Sequence, residues 1–291
     1  MRRTAAILLT ALAVCATCAA AAAPNGLVVL LTDYGADSIY VGAIKGAIYT
    51  KFPAARIDTL TNSVPPFDIT SGAYLLAEGC KEFPPGTTFC CVVDPGVGAE
   101  RKRIVLETKR GQFFVAPDNG LLSLVAKRDG IAGLREATNQ VLWREGAVSH
   151  TFQGRDVFGP VAAAVSRGVP LPEVGPEFKE MVFLPIEESR VENGVARGTV
   201  IRADDYGNVV TNITGDDLEL IGLQTGDMAE ITIGKARFAA PRKVTYSDVP
   251  QGDRLALIQS SGYVELAVNM GNLAKAIGEG VLAEVTIKKT P

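Results

Sequence analysis

The sequence predicts an α/β fold, in which an N-terminal domain with a mainly parallel sheet precedes a smaller all-β, barrel-like domain. Two observations predict the first domain: short, continuous apolar runs end in turn signals, and helical patterns lie between these runs. A third predicts the second domain, because from about Val191 the chain changes to short strands separated by turns. We therefore divide the chain into residues 1–23, 24–190 and 191–291.

The apolar runs of the first domain have the length and continuity of strands that are buried on both faces of a parallel sheet. These runs are Leu27–Leu31, Thr88–Val93 and Gln112–Ala116. Helical patterns occupy Tyr40–Phe52, Ile69–Phe83 and Leu121–Arg128. In the second domain, alternation such as that of Ala229–Ile233 predicts half-exposed strands.

Residues 1–23 have the pattern of a cleaved export signal, which predicts a periplasmic or extracellular protein. A basic start at Arg2 and Arg3 precedes a short apolar stretch and a run of small residues. Cys15 and Cys18 raise the alternative of a lipoprotein, which the residues before each cysteine disfavour.

Composition favours a small-molecule partner over nucleic acid. The chain has 29 basic and 32 acidic residues and a net charge of -3, so it lacks the basic excess that tracks phosphates. It has one histidine, His150, and no C-x-x-C pair after residue 23, which disfavours a zinc or iron site. Neither a G-x-S-x-G elbow nor a Walker loop occurs. We expect no metal and no cofactor.

Three cysteines remain after signal removal, namely Cys80, Cys90 and Cys91. An odd number leaves at least one free thiol in an oxidising compartment. Cys90 and Cys91 are neighbours in a predicted strand, so their side chains should lie on opposite faces of the sheet. We interpret them as small core residues rather than redox or metal-binding groups.

An Asp follows each apolar run of the first domain, and a glycine follows each Asp within a few residues. These residues are Asp33, Asp94 and Asp118. Because ligands bind at the carboxyl edge of parallel sheets, we expect the three carboxylates to gather there. A turn or helix-capping role is the ordinary explanation for any one of them alone.

Two further features lie near these carboxylates in the sequence. Asp94 and Arg101 are seven residues apart across a Pro-Gly turn, close enough for an ion pair facing a pocket. Arg155 and Asp156 belong to the run "SHTFQGRDVFG" before a helical pattern, and are interpreted either as site residues or as a structural salt bridge.

Seven ordered blocks carry a resemblance to a known family. They read "TDYG…YVGAIKG", "NSVPPFDI", "VVDPGVGAERK", "APDNGLL", "TFQGRDVFGPVAA", "DDYGNVVTNI" and "SSGYVELAVNMGN". They resemble the S-adenosyl-L-methionine hydroxide adenosyltransferases, which are hydrolases related to fluorinating and chlorinating enzymes. The resemblance extends from Leu27 to about Asn272.

The resemblance implies an α/β domain, a β-barrel-like domain and a homotrimer. It implies that S-adenosylmethionine binds between the N-terminal domain of one subunit and the C-terminal domain of the next. The implied reaction is attack of water or hydroxide at the ribose C5′, which forms adenosine and releases methionine. A sulfonium is a good leaving group, so such a protein needs mainly to align and desolvate the nucleophile.

Residue roles follow from the same resemblance. Asp33 would bind the ribose hydroxyls, Phe67 would lie beside the sugar, and Tyr206 would supply a stacking face. Glu265 would meet the methionine ammonium. The other implied substrate-binding residues are Asn119, Gly154, Asp204, Asn208, Ser260, Tyr263 and Met270.

The hydrolytic members carry an Asp-Arg-His set beside the nucleophile. Asp94 and Arg101 match its first two members, and because the halogenases place a Tyr at the Asp position, this pair implies water rather than halide. The third member is the His of a "TFHGRD" run, where this chain has Gln153.

In one interpretation Gln153 orients water, and in a second His150 replaces the imidazole. In a third the protein is an exported binder of S-adenosylmethionine or adenosine with weak or lost catalysis.

Overall fold

The computed structural model describes residues 22–290, and it contains two sheets, one in each half of the chain. The predicted export signal lies almost wholly outside these residues and stays a prediction. The first sheet has six strands, which are β1 Leu27–Thr32, β2 Arg56–Thr61, β3 Thr88–Val92, β4 Arg103–Thr108, β5 Phe113–Pro117 and β6 Ile131–Glu136. Their spatial order is β2-β1-β3-β5-β4-β6.

The first sheet is mainly parallel, as predicted. β1 pairs in parallel with β2 and β3, and β3 pairs in parallel with β5. The three predicted apolar runs are β1, β3 and β5, which lie inside the sheet and are buried on both faces. β4 and β6 add an antiparallel edge that the strand prediction did not include.

Five helices accompany this sheet: α1 Ile39–Lys51, α2 Ile69–Gly79, α3 Ser123–Asp129, α4 Gly159–Ser166 and α5 Leu171–Val174. Side-chain caps fix where the first two begin. Ser38 accepts a hydrogen bond from the Tyr40 amide (3.2 Å), and Asp68 accepts one from the Ser71 amide (2.9 Å). Both helices start within a few residues of the prediction. None of the helices in residues 22–290 is long and apolar enough to span a bilayer.

The core of the first half has two layers, one on each face of the sheet. α1 and α4 pack on one face, and α2 and α3 pack on the other. Cys90 belongs to the first layer and Cys91 to the second, which confirms their predicted opposite orientation. Cys80, Cys90 and Cys91 are all buried free thiols, and burial raises the pKa of Cys90 to about 12. Such thiols are inert at neutral pH.

The second half is an antiparallel, nearly closed barrel-like sheet, as predicted. Its strands are β7 Arg190–Glu192, β8 Val195–Ala203, β9 Val209–Thr214, β10 Met228–Ile233, β11 Ala236–Pro241, β12 Arg254–Ile258, β13 Tyr263–Val268 and β14 Glu284–Lys289. Two short helices, α6 Gly215–Leu220 and α7 Leu273–Ile277, complete it. The order is β11-β10-β14-β8-β9-β13-β12, and a bridge between Arg242 and Ala256 brings the two ends of the sheet together.

Candidate active site

A cleft of about 240 Å³ lies at the carboxyl ends of β1 and β3. Asp33 comes directly after β1 and Asp94 comes two residues after β3, so the parallel pairing of these strands brings both carboxylates to one edge. The residues that line the cleft are Asp33, Tyr34, Pro66, Phe67, Val92, Asp94, Val97, Thr151 and Gly154. All of them belong to the N-terminal half of the chain.

Asp33 holds Phe67 in an unusual backbone conformation at the mouth of the cleft. The Asp33 carboxylate accepts a hydrogen bond from the Phe67 amide (3.0 Å). Phe67 has φ +68°, in the left-handed region that bulky residues avoid, and its ring is largely exposed. Strained residues of this kind persist where the surroundings hold them, often at functional sites.

Asp94 and Arg101 form a buried ion pair beside the cleft. Arg101 Nε lies 3.0 and 3.1 Å from the two carboxylate oxygens, and Arg101 Nη2 also donates to Asp94. The side chains are only 5% and 9% exposed, so solvent screens this pair weakly. Arg101 Nη1 is buried without a hydrogen-bond partner among the described residues. The pair thus leaves one NH₂ group of the guanidinium without a hydrogen-bond partner.

Gln153 is buried, with 3% of its surface exposed, and it contacts two arginines. Its Oε1 lies 3.0 Å from Arg101 Nη2 and 2.8 Å from Arg103 Nε. Because a guanidinium only donates hydrogen bonds, the atom that faces both must be the carbonyl oxygen. Burial, together with the charge of Arg101, lowers the pKa of Arg103 below its ordinary value. One neutral side chain therefore holds two like charges close together.

The backbone after Gln153 forms a single π-helical turn, Gly154–Phe158, which continues into α4. Such turns are rare in proteins overall, and many of those that occur are found at functional sites. A Cβ at Gly154 would lie 2.8 Å from the Tyr34 hydroxyl and 3.0 Å from Ile44 Cδ1. Only glycine lets this turn approach the cleft so closely.

Asp156 has a structural role, which decides between the two interpretations of the Arg155–Asp156 pair. Its carboxylate is fully buried and accepts hydrogen bonds from Arg155 Nε (2.6 Å), Arg144 Nη1 (3.2 Å) and the Ser149 amide (2.8 Å). These bonds tie the loop before the π-helical turn to the turn itself. His150 lies in that loop, is exposed, and is not among the residues that line the cleft.

Asp118 follows β5, which is parallel to β3, so it lies at the same edge of the sheet as Asp33 and Asp94, but it is not among the residues that line the cleft. It accepts a hydrogen bond from the Val182 amide (2.8 Å) and so anchors the segment that leads out of the N-terminal half. The neighbouring Asn119 donates from Nδ2 to the Val93 carbonyl (2.8 Å). This bond fixes the end of β5 to the end of β3, and Asn119 is not among the residues that line the cleft.

The predicted residues of the C-terminal half form a separate group. In the turn between β8 and β9, Asp204 accepts hydrogen bonds from the Tyr206 amide (3.0 Å), the Asn208 amide (2.8 Å) and Asn208 Nδ2 (3.0 Å). This turn presents the Tyr206 ring outward, 80% exposed. Met270 is also exposed, with φ +54°. Neither lines the cleft of its own chain.

Glu265 on β13 is buried and accepts a short hydrogen bond (2.5 Å) from the Tyr246 hydroxyl. Burial, with a smaller contribution from Asp204, raises the pKa of Glu265. Ser260 is exposed in the turn before β13. Tyr263 packs against Tyr74 at 6.2 Å between ring centroids and lines a cavity of about 400 Å³ between the two halves. The structure therefore places Tyr263 away from the cleft.

The raised pKa of Glu265 predicts a pH-dependent stability difference. A carboxyl group whose pKa is higher in the folded than in the unfolded protein binds more protons when folded. Its ionisation therefore lowers the free energy of unfolding. This loss is absent below the unfolded pKa, about 4.3, and grows as pH rises towards the folded pKa. Glu265→Gln removes this loss. We expect the free energy of unfolding of the variant, relative to the parent, to rise between pH 4 and pH 7 in urea titrations. Glu284→Gln, at an exposed position, should show no such rise; an equal rise in both would contradict this account.

Comparisons with known proteins fit this geometry. The profile of the SAM hydroxide adenosyltransferase N-terminal domain matches residues 28–175, and that of the C-terminal domain matches residues 198–286. The chain belongs to the SAM hydroxide adenosyltransferase family. An (R)-S-adenosyl-L-methionine hydrolase of Salinispora tropica is 36% identical over 259 residues, which cover 88% of this chain and 95% of that protein. A fluorinase of an Actinoplanes species is 28% identical over 294 residues, which cover 91% and 98%.

A solved structure has a similar fold and sequence. A crystal structure of an uncharacterized conserved protein from Thermotoga maritima superposes with a TM-score of 0.84 at 38% identity. It covers 90% of this chain and 99% of that chain. Both halves of this adenosyltransferase-family chain are therefore represented in known proteins.

The structure adds three residues to this discussion that the sequence analysis did not identify, namely Arg103, Tyr34 and Tyr246. Arg103 lies two residues after Arg101, a spacing that places both side chains on one face of an extended chain, and this signal was available. Tyr34 lines the cleft beside Asp33, and burial raises the pKa of its hydroxyl, so it remains a hydrogen-bond donor. Tyr246 is nineteen residues from Glu265, and no sequence signal joins the two.

Proposed function

We propose that this chain hydrolyses S-adenosyl-L-methionine to adenosine and L-methionine by attack of water or hydroxide at the ribose C5′. The observation that carries the proposal is the buried Asp94–Arg101 pair beside a cleft that also contains Asp33. The relatives named (R)-S-adenosyl-L-methionine hydrolase support the same reaction.

The chemistry requires alignment more than activation. A C–O bond forms at C5′ as the C5′–S bond breaks, its electron pair goes to sulfur, and methionine leaves as a neutral thioether. The proton of the attacking water passes to solvent. The Asp33 carboxylate is suited to accept hydrogen bonds from the two ribose hydroxyls, which would fix C5′ relative to the Asp94–Arg101 pair. Arg101 holds Asp94 in place through three hydrogen bonds.

We further propose that the working form is a homotrimer with the site shared between subunits. The cleft is lined by N-terminal residues alone, whereas Asp204, Tyr206 and Met270 lie at the surface of the C-terminal half. Tyr206 and Met270 are large apolar side chains held outward by defined turns, which is typical of residues that a partner covers. A neighbouring subunit would bring such residues to the open side of the cleft.

Complementation between subunits tests the shared site. Arg101→Met should inactivate the N-terminal contribution, and Tyr206→Ala should weaken the C-terminal one. Co-expressed with different tags and purified through both, the mixed oligomers should be more active than either variant alone, because some interfaces combine two intact halves. Mixed oligomers no more active than the mean of the parents, or a monomer by light scattering, would reject the shared site.

A second function has one observation in its favour, namely that neither Asp94 nor Gln153 has an acceptor oxygen without a hydrogen bond. Both oxygens of Asp94 and the carbonyl oxygen of Gln153 are already engaged by guanidinium groups. A protein with this arrangement is suited to bind S-adenosylmethionine or adenosine without turnover. A general base contributes only about 10²–10⁴-fold, so its loss slows hydrolysis without preventing it.

The two functions are separated by incubating the purified protein with S-adenosylmethionine. The hydrolase produces adenosine and methionine in equal amounts by chromatography, and Arg101→Met produces neither. The binding protein produces no adenosine above a heat-inactivated control, yet releases heat on titration with the ligand in a calorimeter.

A further inference from the structure

We propose that Arg103 is a positioning residue for this site, which fixes the side-chain amide of Gln153 so that only its NH₂ group remains available. The inference rests on the proposed hydrolysis and concerns a residue outside the Asp94–Arg101–Gln153 set. Arg103 and Arg101 both donate to Gln153 Oε1, at 2.8 and 3.0 Å. With the oxygen held at two points, the amide cannot rotate without losing both bonds.

The surroundings hold Arg103 as firmly as they hold Gln153. Its guanidinium carbon lies 5.3 Å from the ring centre of Trp143, within the range of a cation–π contact. On the other side, the guanidinium of Arg101 lies 5.3 Å from the ring centre of Phe158. The two guanidinium groups thus contact different aromatic rings, and the amide oxygen of Gln153 is the acceptor that they share. Without that shared acceptor, two partly buried like charges would face each other.

A chemical consequence follows for Gln153. Its Nε2 makes no hydrogen bond with another described residue, so it is the free polar atom of that side chain. An amide NH₂ only donates. Gln153 held in this way cannot accept a proton from water, but it can donate a hydrogen bond to a water or hydroxide oxygen. Arg103 thereby determines that residue 153 acts as a donor.

The identity of residue 153 and the presence of Arg103 are therefore coupled. A neutral imidazole has one acceptor nitrogen and cannot serve two guanidinium groups as an amide oxygen does. A histidine at position 153 would bind one arginine and leave the other without an acceptor. The charged and titratable side chains around this position include Asp33, Tyr34, Cys90, Asp94, Arg101, Arg103, Glu136, Arg144, Arg155 and Asp156.

The first test measures kinetics. Arg103→Gln should lower kcat about tenfold while KM changes less than twofold, because the nucleophile and not the substrate loses its donor. Arg103→Lys, which restores the charge and one donor, should recover part of kcat. Lys102→Gln is the matched control, since Lys102 adjoins Arg103 but is half exposed and pairs with Glu136. A melting temperature that falls with unchanged kcat would overturn the positioning role.

The second test needs no activity. The chain has one histidine, so Gln153→His adds a second whose ring signals can be followed by NMR, with His150 as internal reference. Removing the adjacent Arg103 charge favours the imidazolium, so Arg103→Gln should raise the pKa of the new histidine by roughly one unit. The pKa of His150 should not move. An unchanged pKa for the new histidine overturns the inference, and absence of adenosine in the parent protein rejects the proposed hydrolysis instead.

Discussion

Arg101→Met is expected to reduce hydrolysis of S-adenosylmethionine by at least about 10²–10³-fold, the usual effect of losing one preorganised charged donor. The same change leaves the Asp94 carboxylate 5% exposed and without its partner. Breaking a buried pair from one side typically costs about 3–5 kcal/mol, so we also expect a clear drop in the free energy of unfolding. Initial rates and urea titrations measure the two effects.

Two companion variants separate activity from stability in this experiment. Asp94→Asn combined with Arg101→Met removes both charges, and should recover much of the lost stability while remaining inactive. Arg144→Met is the control, because Asp156 keeps Arg155 and the Ser149 amide as partners. An active Arg101→Met protein would contradict the assigned role of the pair.

Gln153→His is expected to raise kcat about tenfold or more. The two guanidinium groups that contact residue 153 disfavour a protonated imidazole, so the ring should remain neutral at neutral pH, and it can accept a proton whenever neither arginine occupies its acceptor nitrogen. The gain should be larger when Arg103→Gln is present, since Arg103 then no longer competes for the acceptor nitrogen. Rates from pH 5 to 8 should show an ascending limb that the parent lacks.

The control for this change is Gln153→Asn, whose shorter amide should not bridge the two arginines and should slow the reaction. A Gln153→His protein with the parental rate, or with none, would show that Gln153 does not occupy the histidine's role. The parent amide would then act only by holding Arg101 and Arg103.

The architecture could be predicted from the sequence because the amino-acid composition of the central strands indicates that they are buried. β1, β3 and β5 are continuous apolar runs that admit only positions buried on both faces. The outer strands β2 and β6 have mixed, partly exposed patterns and were not predicted. β4 was not predicted either, although its central residues are buried. The opposite orientation of Cys90 and Cys91 followed directly from strand periodicity.

The candidate site was less predictable, because side-chain partners depend on distances that spacing does not encode. Asp33 and Asp94 reach the cleft since both follow parallel neighbours. Asp118 follows a strand of the same sheet, yet its carboxylate bonds to Val182, sixty-four residues away. The contact between Arg103 and Gln153 spans fifty residues and became visible only when β4 and the π-helical turn were placed side by side.

The most direct measurement of the central claim is hydrolysis of S-adenosylmethionine in water enriched with oxygen-18. Attack of water at C5′ predicts adenosine that carries one heavy oxygen in its 5′-hydroxyl, together with unlabelled methionine in equal amount. Mass spectrometry of the fragmented nucleoside locates the label. Adenosine without the label, release of adenine instead, or no product at all while the ligand binds would contradict the proposed hydrolysis.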